Sequence, residues 1–340
     1  MKVLITGIAG FLGTHVAEYF KILGWDVVGI DNLTEFELKR ANFNVKKSRD
    51  HNLAFLEAIG VEFKKADTRH VTWENFPGID FIIHCAAQPA MTVAIEEPQY
   101  DMDNNIRGVV NMLDIAKKLK IPLVNCSSVH VYGNKSNELL IEEPDRFVRK
   151  GNKEIDEHEP ILNGALTPLH VSKRSTELYT QTYAETYGMR TASFRLTGMY
   201  GERQFGGMDH GWVANFAIRT VMGRPITIFG TDKQVRDILY AQDAARAFEL
   251  WFKNGKTGIY NIGGGYENAI SLKECLRALS KSSPGIKQLI EVKPARFGDL
   301  YYFVCDYQKA KNEFGWAPKI RPKKGIANLV KWIKENKEIL

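Results

Sequence analysis

Lys2-Val3-Leu4-Ile5-Thr6-Gly7-Ile8-Ala9-Gly10-Phe11-Leu12-Gly13 opens the chain with a β-type apolar run, breaks into glycines spaced G-x-x-G-x-x-G, and continues into a helical pattern. The order strand, glycine turn, helix gives the spacing its meaning. One glycine permits a tight turn, one lets the backbone approach a pyrophosphate, and one lets the helix pack on the strand. The helix N-terminus then faces the negative charge.

Working outward, the next strand ends at Asp31, eighteen residues after Gly13. An acidic side chain there accepts hydrogen bonds from both ribose hydroxyls of NAD and repels a 2′-phosphate, so NAD is expected rather than NADP. Strands are predicted at Lys2–Thr6, Trp25–Asp31, Val61–Lys64, Phe81–His84, Leu123–Cys126 and Thr191–Arg195, alternating with helical stretches such as Phe11–Leu23, Tyr100–Leu119 and Pro168–Tyr187. That alternation predicts an α/β fold of the Rossmann type, a doubly wound parallel sheet. Residues 1–195 are expected to form the NAD-binding domain, interleaved with later segments. Residues 196–340, richer in Gly- and Pro-containing loops, are expected to form mainly a smaller α+β substrate-binding region, with some strands and helices returning to the first domain. Asn134–Leu166, charged and weakly periodic, is expected as a long loop over the site. Cofactor contacts fall on Gly7, Gly10, Phe11, Leu12, Gly13, Asp31 and Asn32, on Asp67 and Thr68 toward the adenine, and on Ala86, Ala87 and Gln88 after the fourth strand.

The 340 residues are 44% hydrophobic and 25% charged, enough for a large core. No run approaches the ~18 apolar residues of a membrane span, and the apolar start has no basic leader, so a cytoplasmic protein without membrane association is expected. Cys85, Cys126, Cys275 and Cys305 are far apart in sequence and predict reduced thiols and no metal site. The net charge of +6 is dispersed, with one basic cluster at Lys319–Lys324, and predicts no nucleic-acid partner.

Further segments add specificity: Cys85-Ala86-Ala87, Asn105-Ile106-Arg107-Gly108, Ser127-Ser128-Val129-His130-Val131-Tyr132-Gly133, Ser172-Lys173, Tyr200-Gly201, Val235-Arg236-Asp237, Asn261-Ile262-Gly263-Gly264 and Ala295-Arg296-Phe297-Gly298-Asp299. In this order they make the chain similar, over essentially its whole length, to the extended short-chain dehydrogenase/reductase family of nucleotide-sugar epimerases and dehydratases. The segment Tyr200–Val213 most resembles the CDP-paratose 2-epimerase (CDP-tyvelose epimerase) subgroup. The resemblance implies epimerisation of a nucleotide-activated sugar, CDP-linked first and UDP-linked second, by transient hydride transfer to tightly bound NAD. It implies Asn105, Ser127 and Lys173 at the cofactor, Ser128 beside the sugar hydroxyl, and a homodimer paired through the helices Tyr100–Leu119 and Pro168–Tyr187. It further implies Arg236 and Arg296 on the diphosphate, with Arg203, Gln204 and Trp212 enclosing the base or sugar; a bidentate guanidinium suits phosphate. Where relatives commonly carry Pro in the last motif, this chain has Phe297.

One departure stands at the centre. The family's proton-transfer residue is Tyr in Tyr-x-x-x-Lys, and four residues before Lys173 this chain has Leu169, which has no ionisable proton. His130, His170 or an acidic site residue acting as another base, a loss of catalysis, and a substitution in the chain all remain open. A helix turns about 100° per residue, which points His170 away from the position of Leu169. His130 lies two residues after Ser128, on the same side if that segment is extended. Asp103 and Glu177 read as helix-surface carboxylates. A nucleotide-sugar 4,6-dehydratase and a non-catalytic protein binding NAD and a sugar nucleotide are the rival functions.

Overall fold

The computed structural model describes residues 1–34, 36, 45–151 and 153–340. Seven strands form the central sheet: β1 (Lys2–Thr6), β2 (Asp26–Asp31), β3 (Glu62–Lys65), β4 (Phe81–His84), β5 (Leu123–Ser128), β6 (Thr191–Leu196) and β7 (Gly258–Ile262). Their order is β7-β6-β5-β4-β1-β2-β3, and every neighbouring pair is parallel. The chain winds outward from β1 to β3, then returns beside β1 as β4 and winds the other way. The doubly wound Rossmann sheet is therefore present, with its switch point between β1 and β4, where such sheets open a crevice at the strands' carboxyl ends.

The apolar runs are explained by helices on both faces. Val3, Ile5, Phe81 and Ile83 point into one core with Val16 and Phe20 of α1 (Phe11–Ile22). Leu4 and Ile82, one residue out of phase, point into the other with Val109, Met112, Leu113 and Ala116 of α3 (Gly108–Leu119). Period-two alternation with both faces apolar is what a covered parallel strand requires. Between them in sequence, α2 (Val45–Ala58) runs beside the mouth of the crevice. The helix α4 (Pro168–Tyr187) starts with Pro at its first turn and ends at Gly188, whose φ is 65°. The stretch predicted as one helix over Tyr100–Leu119 begins at Pro98 and is widened by a π-helical turn at Asp103–Arg107 before α3.

A second core gathers Phe216 of α5 (Trp212–Val221), Ile226 and Ile228 of a short strand, Leu276 and Leu279 of a late helix (Leu272–Ser282), and Leu329 and Val330 of Pro322–Glu335. The same part of the chain also feeds the first core: β7 contributes Tyr260 and Ile262, and the helix Ala241–Asn254 contributes Phe248 and Trp251. Residues 134–166 differ from the expected covering loop. They form a short turn and a hairpin of Leu140–Glu142 with Phe147–Arg149, and Ile155 bridges to Cys305. Ile155 packs with Val131, Tyr132, Leu300 and Phe303 in a small core of its own, so the segment is folded down beside the site. Among the described residues no helix is long and apolar enough to cross a membrane.

Candidate active site

A cavity of about 590 Å³ opens at the carboxyl ends of β1, β2, β4, β5 and β6, within the size range of cofactor and substrate pockets. At one end its wall is the glycine turn. Gly7 has φ 65°, and a Cβ there would meet the Ala86 backbone at 2.8 Å. A Cβ on Gly13 would stand 2.3 Å from Gly7 O, so only glycine lets α1 start this close to β1. Thr6 ties the neighbouring strand end in place, its hydroxyl accepting from the Ala86 N–H at 3.1 Å and meeting His84 Nδ1 at 2.8 Å. Asp31 closes β2 and accepts from the N–H groups of Ala9 (3.1 Å) and Leu33 (2.8 Å), with the Arg49 guanidinium 3.6 Å away. Burial raises its pKa, and Arg49 opposes that rise.

Of the residues expected at the cofactor, Gly7, Gly10, Phe11, Leu12, Gly13, Asp31, Asn32, Thr68, Ala86, Ala87, Ser127 and Lys173 line this cavity. Asp67, Gln88 and Asn105 do not. Asp67 is occupied by Arg69 (2.7 and 2.9 Å) and Asn32 (3.2 Å). Gln88 and Asn105 lie behind the wall: Asn105 Oδ1 accepts the Gln88 N–H at 2.8 Å, and both side-chain amides donate to the buried Asp101. Asn105 also reaches Ser172 Oγ at 3.1 Å, so these amides brace the loop after β4 against α4.

Ser128, His130, Leu169 and Lys173 come together on the facing wall. Lys173 Nζ donates to Cys126 O at 3.1 Å; burial lowers its pKa, while Asp101 and Glu177 are among the groups pulling it back up. Leu169 is buried against Met91 and Ala94. Ser128 and His130 share the wall for a reason other than an extended backbone. Val129–Tyr132 is a 3-10 turn, and Ser128 caps it by accepting the His130 N–H at 3.2 Å. Burial, helped by His170 and Arg236, pulls the His130 pKa down to about 3. It is thus a neutral imidazole, and its Nδ1 has no hydrogen-bond partner among the described residues. His170 is not on the wall: its Nδ1 accepts from Thr167 at the start of α4.

The NAD dependent epimerase/dehydratase family model matches residues 3–263. The chain belongs to this family. It is 31% identical to the CDP-paratose 2-epimerase of Salmonella typhi, over 98% of this chain and 99% of the relative. Among solved structures, a UDP-glucose 4-epimerase from Thermus thermophilus in complex with NAD superposes with a TM-score of 0.80 at 29% identity, covering 99% of this chain and all of that one. One from Thermotoga maritima with UDP-glucose gives 0.81 at 26% identity and the same coverage. NAD is the cofactor, and the glycine turn, with Gly7, Gly10 and Gly13 on the cavity wall, and the Asp31 carboxylate fit its pyrophosphate and ribose.

At the other end of this epimerase/dehydratase cavity stand Trp212, Arg236 and Arg296; Gln204 also lines the cavity, its amide donating to Met199 O at 3.2 Å. Arg236 is held by the carbonyls of Val235 (2.9 Å) and Leu300. Arg296 lies 3.7 Å over the Phe229 ring and donates to Met208 O at 2.7 Å. Arg203 also lines the cavity, but its guanidinium is turned back onto α1 and not toward this end.

Glu177 is a core residue and not a helix-surface carboxylate. It is fully buried and accepts from Ser127 Oγ (2.7 Å), from Arg195 in a bidentate pair (2.8 and 2.9 Å) and from Arg174 (2.9 Å). Arg195 continues to Tyr132 Oη at 2.9 Å, and Tyr132 to Asn261 Oδ1 at 2.9 Å. This chain of polar contacts fixes the back of the wall that bears Ser127, Ser128 and Lys173. Its signal was in the sequence: Glu177 is four residues after Lys173 and shares its helix face. His210, which lines the cavity with Nδ1 buried and unpartnered among the described residues, was also missed, and nothing in its glycine-rich surroundings marks it. Among the described residues no group of three or more His, Cys, Asp or Glu is placed to hold a metal.

Proposed function

We propose that the protein epimerises a nucleotide-linked sugar by passing a hydride to bound NAD and taking it back. One observation carries the reading: Ser128 and Lys173 stand on the same cavity that joins the glycine turn and Asp31 at one end to Arg236 and Arg296 at the other. CDP-linked sugars are favoured over UDP-linked ones, in line with the Salmonella typhi relative and the segment Tyr200–Val213. A dehydratase needs an acid and a base for water loss. The start of α4 from Thr167 to Lys173 carries no carboxylate; the carboxylates that line the cavity on the sugar side are Asp209, held by the Thr92 hydroxyl at 2.6 Å, and Asp299.

In this reading Lys173 holds the nicotinamide ribose, Ser128 hydrogen-bonds the reacting hydroxyl, and His130 is the titratable side chain placed to take its proton, a weak base because burial disfavours its imidazolium. The two arginines hold the diphosphate, Trp212 and Gln204 flank the sugar nucleotide, and Ser127 meets the cofactor. The buried Leu169 favours a second reading, a protein that binds NAD and sugar nucleotide without turnover. Incubation with CDP-, UDP-, GDP- and dTDP-sugars, followed by NMR, separates the two. Inversion of one sugar is expected, and His130→Ala should slow it about 100-fold. If no sugar is inverted while NAD and nucleotide sugar still bind, the catalytic assignment fails.

The protein is further proposed to be a homodimer. Val171, Leu178 and Tyr179 on α4 and Met102 beside it are exposed apolar side chains, a surface suited to a second copy. Sedimentation should give twice the chain mass, and a mass of one chain at micromolar concentration would remove this proposal.

A further inference from the structure

Arg203 has an unusual backbone and an unusual set of partners. Its φ is 59°, the left-handed region that non-glycine residues enter only when their surroundings hold them there. Its Nη2 meets the Glu18 carboxylate at 2.5 Å and His15 Nδ1 at 3.2 Å, both on α1. The guanidinium lies 3.9 Å over the ring of Phe55 on α2. His15 Nε2 donates to Glu202 O at 2.8 Å, so His15 presents Nδ1 as the acceptor that Arg203 needs. The pKa of His15 falls to about 3 through burial and the neighbouring Arg203, which keeps that arrangement neutral. Glu202 is itself fixed by the Tyr240 hydroxyl at 2.5 Å.

These contacts seat residues 201–205 on the helix whose first turn faces the cofactor pyrophosphate. A Cβ on Gly201 would lie 3.5 Å from both His15 Nε2 and Phe11 Cε2, and Phe11 is a wall residue of the cofactor end. Arg203 also lines that cavity, and its Nε is buried with no hydrogen-bond partner among the described residues. The Nε is enclosed by the same contacts that hold the guanidinium on α1 and α2, so Arg203 acts on the cavity through the segment it anchors.

We propose that Arg203 is a positioning residue that latches the segment 201–211 onto α1 and α2 and so holds one wall of the cofactor end in place, keeping NAD bound between outgoing and returning hydride. The latch rests on NAD as cofactor and is independent of which sugar is bound. It ties one wall of the cavity, contributed by the later part of the chain, to the two helices that flank the cofactor.

The test is the rate at which NAD leaves. Arg203→Met and Glu18→Gln proteins are charged with NAD, freed of excess by gel filtration, and sampled over time with an enzymatic NAD assay. CDP and UDP are titrated in parallel, and melting is recorded without ligand. Arg203→Met should release NAD at least about tenfold faster and Glu18→Gln severalfold faster, with a smaller loss of nucleoside diphosphate affinity, because Arg236 and Arg296 stand outside the latched segment. Parental release rates in both variants would overturn the latch, as would equal losses of NAD and nucleoside diphosphate binding, which indicate general damage. Should Arg203→Met not fold, Glu18→Gln decides alone. Should neither nucleotide bind the parent, the sugar-nucleotide reading fails, and the release rates are then judged against the ligand-free melting temperatures.

Discussion

Leu169→Tyr is expected to raise the rate of hydride transfer from a nucleotide sugar to bound NAD by about 10²- to 10⁴-fold, the range contributed by a well-placed general base. Leu169 is on the wall of the cavity and one helical turn from Lys173, so a phenol at 169 would extend into the cavity beside Ser128. The Lys173 ammonium would favour its ionised form. The substitution adds a ring and a hydroxyl at a position already 1% exposed and packed on Met91 and Ala94, and the cavity in front of it gives the added atoms room. The measurement is NADH absorbance after mixing with CDP- or UDP-sugars, with sugar stereochemistry followed by NMR. In the Tyr background, His130→Ala should lose its effect, because the proton then has another acceptor. A variant no faster than the parent with NAD fully bound would show that Ser128 and Lys173 are not arranged around a reacting hydroxyl at all.

Glu177→Ala should destabilise the protein by about 3–5 kcal/mol, the cost of leaving one member of a buried ion pair without its partner. The size follows from burial. Glu177 is completely enclosed and Arg195 only 2% exposed, so water cannot replace the lost carboxylate. Ser127 loses its acceptor at the same time, and the Tyr132 and Asn261 contacts lose their anchor. Glu177→Gln, which keeps hydrogen-bonding atoms but not the charge, should fall between. Urea unfolding monitored by fluorescence reads the difference, and an alanine variant within about 0.5 kcal/mol of the parent would contradict the role given to this pair.

Most of the central sheet was legible because its strands are short apolar runs bounded by glycine, proline or acidic residues, and α4 because Pro168 and Gly188 mark both its ends. The strand β7 was harder. Gly258-Ile259-Tyr260-Asn261-Ile262 follows a helix of similar apolar content, and only its pairing with β6 identifies it. The site divides the same way. Backbone-dictated features, the glycine turn and Asp31, could be read from spacing alone. Side chains whose role depends on what folds against them could not: Arg203 reads as a substrate contact until Glu18, His15 and Phe55 are brought to it, and Glu177 reads as solvent-facing until Arg195 of the neighbouring strand arrives.

The place of β7 at the sheet's end has a consequence for the order in which the protein can mature. During synthesis β6 is complete at Leu196, but the strand that covers its free side is not made until Gly258–Ile262. Throughout that interval β6 presents the unpaired backbone N–H and C=O groups of an edge strand, and Phe194 on its face has not yet met Tyr260 and Phe314. The sheet begun by the N-terminal half is closed on this side only when a strand from the C-terminal half arrives.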